Sequence, residues 1–432
     1  MKSSKKTFVD SFVIGAALFA MFFGAGNMIF PPYLGLKAGT DWFSGFLGYY
    51  IADIGLAVVA ILAQTRVKGH KEMLEPLGRF VGPAMMFAIV MCIGPIISIP
   101  RTAATIYELS IAPLIENFNI PVFFILFFAL NALLCINKSA VVDIVGKALT
   151  PVLFLGLLLL IIKGLITPIG AIDFGPRGSN IISDGIEAGY QSMDVLAAVI
   201  FGVLIINSAA DKGHTKPKTQ AKVAAGAGIV AGIGLLIIYL GLTYLGATAS
   251  SVYDTHITRT ELLISIITSL LPGNFGLIFF AVVAGFACLS TAIALTSSAA
   301  EYLESIVKGK VGYKTFVIGI CVFGVAISLV GVEGLITFAS PILSIVYPPI
   351  LVLIILSFFK NKIGFIPVRF AAFTAMAFGV LDVISSFGIT VPYLRTLPLE
   401  DLGLAWVVPT VFMFAIGFTI EKIKQYRLAD NK

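Results

Sequence analysis

Apolar stretches of about twenty residues, the length that crosses a hydrocarbon layer of about 30 Å as a helix, recur along this chain from near its start almost to its end. Windows of this kind predict helices near residues 8–36, 40–65, 80–110, 121–137, 140–166, 186–210, 219–248, 275–307, 313–331, 334–359, 364–388 and 402–424. The chain is 58% hydrophobic and 12% charged over 432 residues, against roughly 45–50% and 25% for a soluble domain. It therefore reads as an all-α polytopic membrane protein of about twelve spans. The first stretch follows Lys2, Lys5 and Lys6 and starts like a signal sequence. It is too long, however, and ends in Phe30-Pro31-Pro32 without a small-residue cleavage pattern, so it is expected to be a retained first helix.

The basic residues fall on alternate loops. With twelve spans, 23 of the lysines and arginines lie on the side of the two termini and 5 on the other, Arg101 falling inside the third span. Positive charge marks the inner side, so both termini are expected in the cytoplasm. The outer segments Thr167–Gly185 and Ser250–Asn274 read as loops. The same distribution accounts for the net charge of +6 without a nucleic-acid partner. Cys92, Cys135, Cys288 and Cys321 stand alone in apolar segments, which excludes a paired-cysteine metal site or a disulfide framework. His70, His214 and His256 sit in different loops, and no phosphate-binding Gly-Lys-Ser motif is present, which argues against a membrane enzyme or an ATP-driven pump.

Lipid tolerates unpaired backbone only where it lines a cavity or a ligand, so interrupted spans point to binding sites. The first span carries Phe22-Phe23-Gly24-Ala25-Gly26-Asn27 at its middle. Freed carbonyls there suit a cation, and the N-terminus of the second half-helix suits a carboxylate. The two glycines alone would also suit close helix packing. The sixth span opens with Glu187-Ala188-Gly189-Tyr190-Gln191-Ser192-Met193-Asp194, either a second break or a solvated end of a span beginning at Val195. In the eighth, Ser290 and Thr291 offer neighbouring hydroxyls for a small hard cation, although such hydroxyls also bond their own helix. Asp53, Arg101 and Asp382 are charges within spans, each expected to be paired or wet. Arg101 is placed in an outer vestibule, with Glu108 as a candidate partner, and Asp53 and Asp382 are read as helix–helix hydrogen-bonding groups.

Phe22-Phe23-Gly24-Ala25-Gly26-Asn27-Met28-Ile29-Phe30-Pro31-Pro32, Ile93-Gly94-Pro95, Ile99-Pro100-Arg101-Thr102, Gly189-Tyr190, Met193-Asp194, Cys288-Leu289-Ser290-Thr291-Ala292 and Tyr347-Pro348-Pro349 occur in this order. The set resembles the bacterial branched-chain amino acid:cation symporters of the BrnQ type, in the amino acid–polyamine–organocation superfamily. The resemblance implies a leucine-transporter-like fold of 5+5 inverted helices plus two C-terminal helices, with repeats at 1–166 and 186–359 and a trailing part at 364–432. It implies symport of leucine, isoleucine or valine, with sodium as coupling ion and no cofactor. A proton carried by Asp194 or Asp53 is the alternative. By analogy Gly24, Ala25, Gly26 and Asn27 would meet the substrate carboxylate or a second ion, and Ser192, Met193 and Asp194 its amino end. Sodium would lie between carbonyls of Ala20 and Phe23 and the hydroxyls of Ser290 and Thr291. Ile96, Ile97, Met193, Ala197 and Phe201 are candidates for the apolar pocket. Membrane lipid is the expected surrounding, with no obligate protein partner.

Overall fold

The computed structural model describes residues 2–67, 69–136, 150–178, 180–389, 391–392 and 394–430. Among them the chain is helical throughout, with no strand. In order the α-helices are α1 Lys2–Phe22, α2 Ala25–Ala38, α3 Trp42–Tyr50, α4 Leu56–Gln64, α5 His70–Leu74, α6 Gly78–Met91, α7 Ser98–Ile106, α8 Ile120–Cys135 and α9 Thr150–Ile166. There follow α10 Ile181–Ser192, α11 Asp194–Asp211, α12 Pro217–Thr248, α13 Arg259–Leu270, α14 Asn274–Ile306, α15 Tyr313–Ser328, α16 Val332–Ser357, α17 Phe365–Ser386 and α18 Val407–Asp430. Short π-helical turns, Ile51–Gly55, Cys92–Ile96 and Tyr107–Ile111, interrupt the second and third expected spans. Among the described residues seven helical stretches are long and apolar enough to cross a membrane, and Ile120–Cys135, Thr150–Ile166 and Tyr313–Ser328 are apolar but shorter. The expected helix over 140–166 begins in residues outside those described, where Lys68, Lys138, Lys147 and Lys432 of the charge count also lie.

The polarity is inside out relative to a soluble domain. Leu126, Leu133, Leu155 and Leu159 are more than half exposed, whereas Asn27, Asp53, Arg101, Asp194, Ser290 and Thr291 are buried. Apolar side chains facing outward cost nothing in lipid, while polar ones must find partners within the bundle. The two interrupted spans lie at its centre: α1 and α2 both pack along α12, and α10 and α11 pack on α3 and α4. Contact between α2 and α12 is backbone to backbone. A Cβ on Gly246 would lie 1.8 Å from the carbonyl oxygen of Pro32, and one on Gly35 would lie 1.9 Å from that of Thr243.

One segment read as loop contains a helix. Residues 250–274 include α13, which packs against α2 and α14. Its start follows the Thr-x-x-Glu capping pattern: Thr258 Oγ1 accepts from the Glu261 amide at 3.3 Å, and the Glu261 carboxylate accepts from the Thr258 amide at 3.0 Å. These hydrogen bonds hold the Glu261 carboxyl below its usual range. Hydropathy alone passes over α13 because its charged first turn depresses the average.

Candidate functional site between two broken helices

The first span breaks at Phe23-Gly24. Gly24 is extended (φ −118°, ψ −156°), and its amide donates to Asn27 Oδ1 at 3.2 Å, so the Asn27 side chain caps the helix that it begins. The sixth span breaks at Met193, a buried residue in the left-handed region (φ 69°), with α10 ending at Ser192 and α11 starting at Asp194. Helix on both sides of Met193 decides for a break over a solvated end. A non-glycine residue in this conformation costs of order 1–3 kcal/mol and persists where its surroundings dictate it.

The two breaks are joined by side chains. Asn27 Nδ2 donates to Asp194 Oδ2 at 2.8 Å and also meets the Tyr239 hydroxyl, which in turn donates to Asp194 Oδ2 at 3.3 Å. Tyr49 and Ser192 share a hydroxyl–hydroxyl bond of 2.7 Å. Gly24, Ala25, Gly26, Asn27, Ser192, Met193 and Asp194, all expected substrate contacts, line one cavity with Met21, Ile93, Arg101, Ala197, Thr291 and Leu295. Of the apolar candidates Met193 and Ala197 line it, and Ile96, Ile97 and Phe201 do not. The cavity is closed down to ≈ 10 Å³, about the space of one water.

On its other side the cavity adjoins a cluster of neutral oxygens. Ser290 Oγ lies within hydrogen-bond reach of the Ala20 carbonyl at 2.7 Å and of the Ala287 carbonyl in its own helix at 2.8 Å, its one proton serving either, and Thr291 Oγ1 donates to the Met21 carbonyl at 3.0 Å, with the Ala20 carbonyl at 3.5 Å. These carbonyls belong to the last turn of α1, where intrahelical donors run out. Ala20, Ser290 and Thr291 thus come together as expected. Met21, missed in the sequence, joins them, and the Phe23 carbonyl receives neither hydroxyl. Oxygens of this kind suit a hard monovalent cation, and no group of three or more His, Cys, Asp or Glu side chains that could hold a metal occurs among the described residues.

Arg101 is not in an outer vestibule. It is 2% exposed and reaches the end of α10, Nη1 donating to the Gln191 carbonyl at 2.7 Å and Nη2 to that of Ser192 at 3.4 Å. Glu108 instead accepts from Thr260 Oγ1 at 2.9 Å and from the Val332 amide at 3.0 Å. The kink at Gly94-Pro95 (Gly94 φ −95°, ψ −122°) carries the chain on beside the breaks, which places Arg101 there and not at an outer mouth. Asp53, expected as a helix–helix hydrogen-bonding group, is 0% exposed and lies beside the hydroxyls of Tyr49 and Tyr239, with neither carboxylate oxygen in a close hydrogen bond. Asp382 lines a larger cavity of ≈ 430 Å³ with Glu187, Tyr190 and Trp406. Tyr49 and Tyr239 were passed over because a tyrosine in an apolar span carries no local signal.

This arrangement has known counterparts. A family model described as branched-chain amino acid transport protein matches residues 7–424. The chain belongs to that family. The branched-chain amino acid permease BraB of Bacillus subtilis is 33% identical over 429 residues, 95% of each chain. Among solved structures, Mhp1, a nucleobase-cation-symport-1 family transporter in a closed conformation with bromovinylhydantoin bound, is similar with a TM-score of 0.62 at 16% identity, covering 95% of this chain and 92% of that one. A Na+-coupled sialic acid symporter in a substrate-bound outward-open state gives 0.62 at 14% identity, covering 95% and 89%. The fold is therefore leucine-transporter-like, and this member of the branched-chain amino acid transport family is a multi-pass bacterial membrane protein and a transporter, not an enzyme.

Proposed function

We propose that this chain is a symporter that imports leucine, isoleucine and valine together with sodium by alternating access. The observation that carries the sodium assignment is the meeting of the Ser290 and Thr291 hydroxyls with the Ala20 and Met21 carbonyls across the first break. A sodium ion replaces the two hydroxyl protons as the partner of those oxygens, and Phe23 supplies a further carbonyl once the break relaxes. The substrate's charged ends lie among Gly24 to Asn27 and Ser192 to Asp194, and its side chain lies against Met193, Ala197 and their neighbours. An apolar wall distinguishes one methylene by only about 1–3 kcal/mol, so the three amino acids compete.

The broken helices open two inverted repeats, 1–166 and 186–359, and 364–432 trails them. Both termini are cytoplasmic, as the loop charges require. The second reading, a proton carried by an intramembrane acid, is favoured by one observation, the fully buried carboxylate of Asp53 without a close hydrogen bond. Labelled leucine uptake into proteoliposomes tests both. Uptake that follows an inward sodium gradient, stops in choline and is competed by isoleucine and valine is the expected result. Uptake that ignores sodium and follows a pH gradient overturns the sodium assignment, and no uptake under either condition overturns the substrate class.

A further inference from the structure

The cavity between the breaks holds one cationic side chain among its lining residues, Arg101, and one acidic side chain, Asp194. The guanidinium is fully desolvated, yet its hydrogen bonding is incomplete: Nη1 has a good acceptor, Nη2 a long one, and Nε has none. Its face lies over the Phe30 ring, 5.6 Å from the centroid. Gly26, in the first turn of α2, leaves room for it, since a Cβ there would come within 2.9 Å of Nη2. The guanidinium therefore sits beside the N-terminus of α2, where the backbone amides also favour an anion.

The charges around it explain why a cation is needed at this spot. Asp194 and Asp53 are both buried in the same cluster. An incoming carboxylate would meet two acids in a low-dielectric setting, and Arg101 is the cationic group that offsets them. Arginine presents donors in a planar fork that fits a carboxylate.

We propose that Arg101 is the specificity residue for a free α-carboxylate: as the cavity widens, its guanidinium takes the carboxylate of the amino acid while Asp194, from the opposite break, takes the α-ammonium. This inference rests on the reading of the chain as an amino acid carrier. It goes further by assigning each end of the zwitterion to a charged side chain and by giving the carboxylate a protein partner other than backbone. Ligands lacking either charge are then rejected, because each leaves a buried charge unpaired.

The competing role is purely structural, with Arg101 tying off the carbonyls at the end of α10. Binding of leucine, leucine amide and 3-methylbutan-1-amine to the purified protein in sodium, measured by displacement of labelled leucine, separates the two. Wild type is expected to bind the two carboxylate-free ligands at least about 30-fold more weakly than leucine, the lower range for a buried charge that loses its partner. In Arg101→Gln, leucine weakens by a similar factor while leucine amide changes by no more than a few fold, so that discrimination collapses. Arg101→Lys, which keeps the charge but not the fork, falls between.

Equal loss of leucine and leucine amide in Arg101→Gln would overturn the proposal in favour of the structural role. Should that variant fail to fold, Arg101→Lys carries the same comparison: a leucine-to-leucine-amide affinity ratio lower than wild type upholds the proposal, and an unchanged ratio overturns it. A wild-type protein that binds no leucine refutes the transport reading itself, a result distinct from either of these.

Discussion

Replacing Thr291 by valine removes one oxygen from the cluster at the first break and little else. The branched shape is kept, which matters because Gly24 lies against this side chain: a Cβ on Gly24 would come 2.9 Å from Oγ1. The lost hydrogen bond, Thr291 Oγ1 to the Met21 carbonyl at 3.0 Å, is worth about 1 kcal/mol in stability, and a buried carbonyl left without a donor costs about 1–3 kcal/mol. The larger consequence lies in ion binding. Sodium and leucine must each favour the other's binding by about 1–3 kcal/mol for coupling, a factor of about 5–150. Loss of one ligand from so small a set is expected to consume most of that. The half-saturating sodium concentration for leucine uptake in proteoliposomes should rise about 5- to 150-fold. By reciprocity, whatever part of the coupling factor the variant loses is lost equally from the improvement in leucine affinity at saturating sodium. Thr291→Ser, which retains the hydroxyl, should stay within a few fold of wild type. A valine variant that still exchanges leucine and has a half-saturating sodium concentration within about twofold of wild type would refute the assignment of Thr291 to the ion.

Three further outcomes are expected. Asp53→Asn puts a neutral amide of the same shape in place of a buried acid that has no close hydrogen bond and has Asp194 as a like-charged neighbour; the thermal midpoint in detergent should stay level or rise, and a marked fall would show that the carboxylate is held by the Tyr49 and Tyr239 hydroxyls or by Arg101. Gly246→Ala puts a Cβ 1.8 Å from the Pro32 carbonyl oxygen, where backbone meets backbone. Overpacking of this kind costs about 1–3 kcal/mol or more, so size-exclusion chromatography should show loss of the monodisperse species, and a normal profile would argue against so close a crossing. Finally, removal of sodium should abolish the rise in thermal midpoint that leucine produces, because the occupied ion site and the occupied substrate site border the same break; an equal rise in choline would uncouple them.

The membrane fold is legible in the residues alone, since hydrocarbon thickness imposes a window that composition either fills or does not, and this chain fills it repeatedly. The breaks are legible for a related reason. Glycine and polar residues at the middle of a span violate the rule that lipid imposes, so Gly24 to Asn27 and Ser192 to Asp194 stand out against their surroundings. Ser290 and Thr291 stand out only by resemblance, because a hydroxyl pair in a helix satisfies itself locally as easily as it serves a ligand.

What each of these residues meets depends on packing between distant helices. That Asn27 reaches Asp194 and Tyr239, 167 and 212 positions away, follows from the way α2, α11 and α12 come together. Local pattern could not place Arg101 on the carbonyls of Gln191 and Ser192, because its apparent neighbours were a proline kink and Glu108. Asp53 shows the limit most clearly. Its place within an apolar span already dictates that the acid must find a partner or a function, since an isolated buried charge is costly. That its neighbours are the hydroxyls of Tyr49 and Tyr239 is settled in the folded bundle, because it depends on where three-dimensional packing brings side chains from helices far apart in the chain.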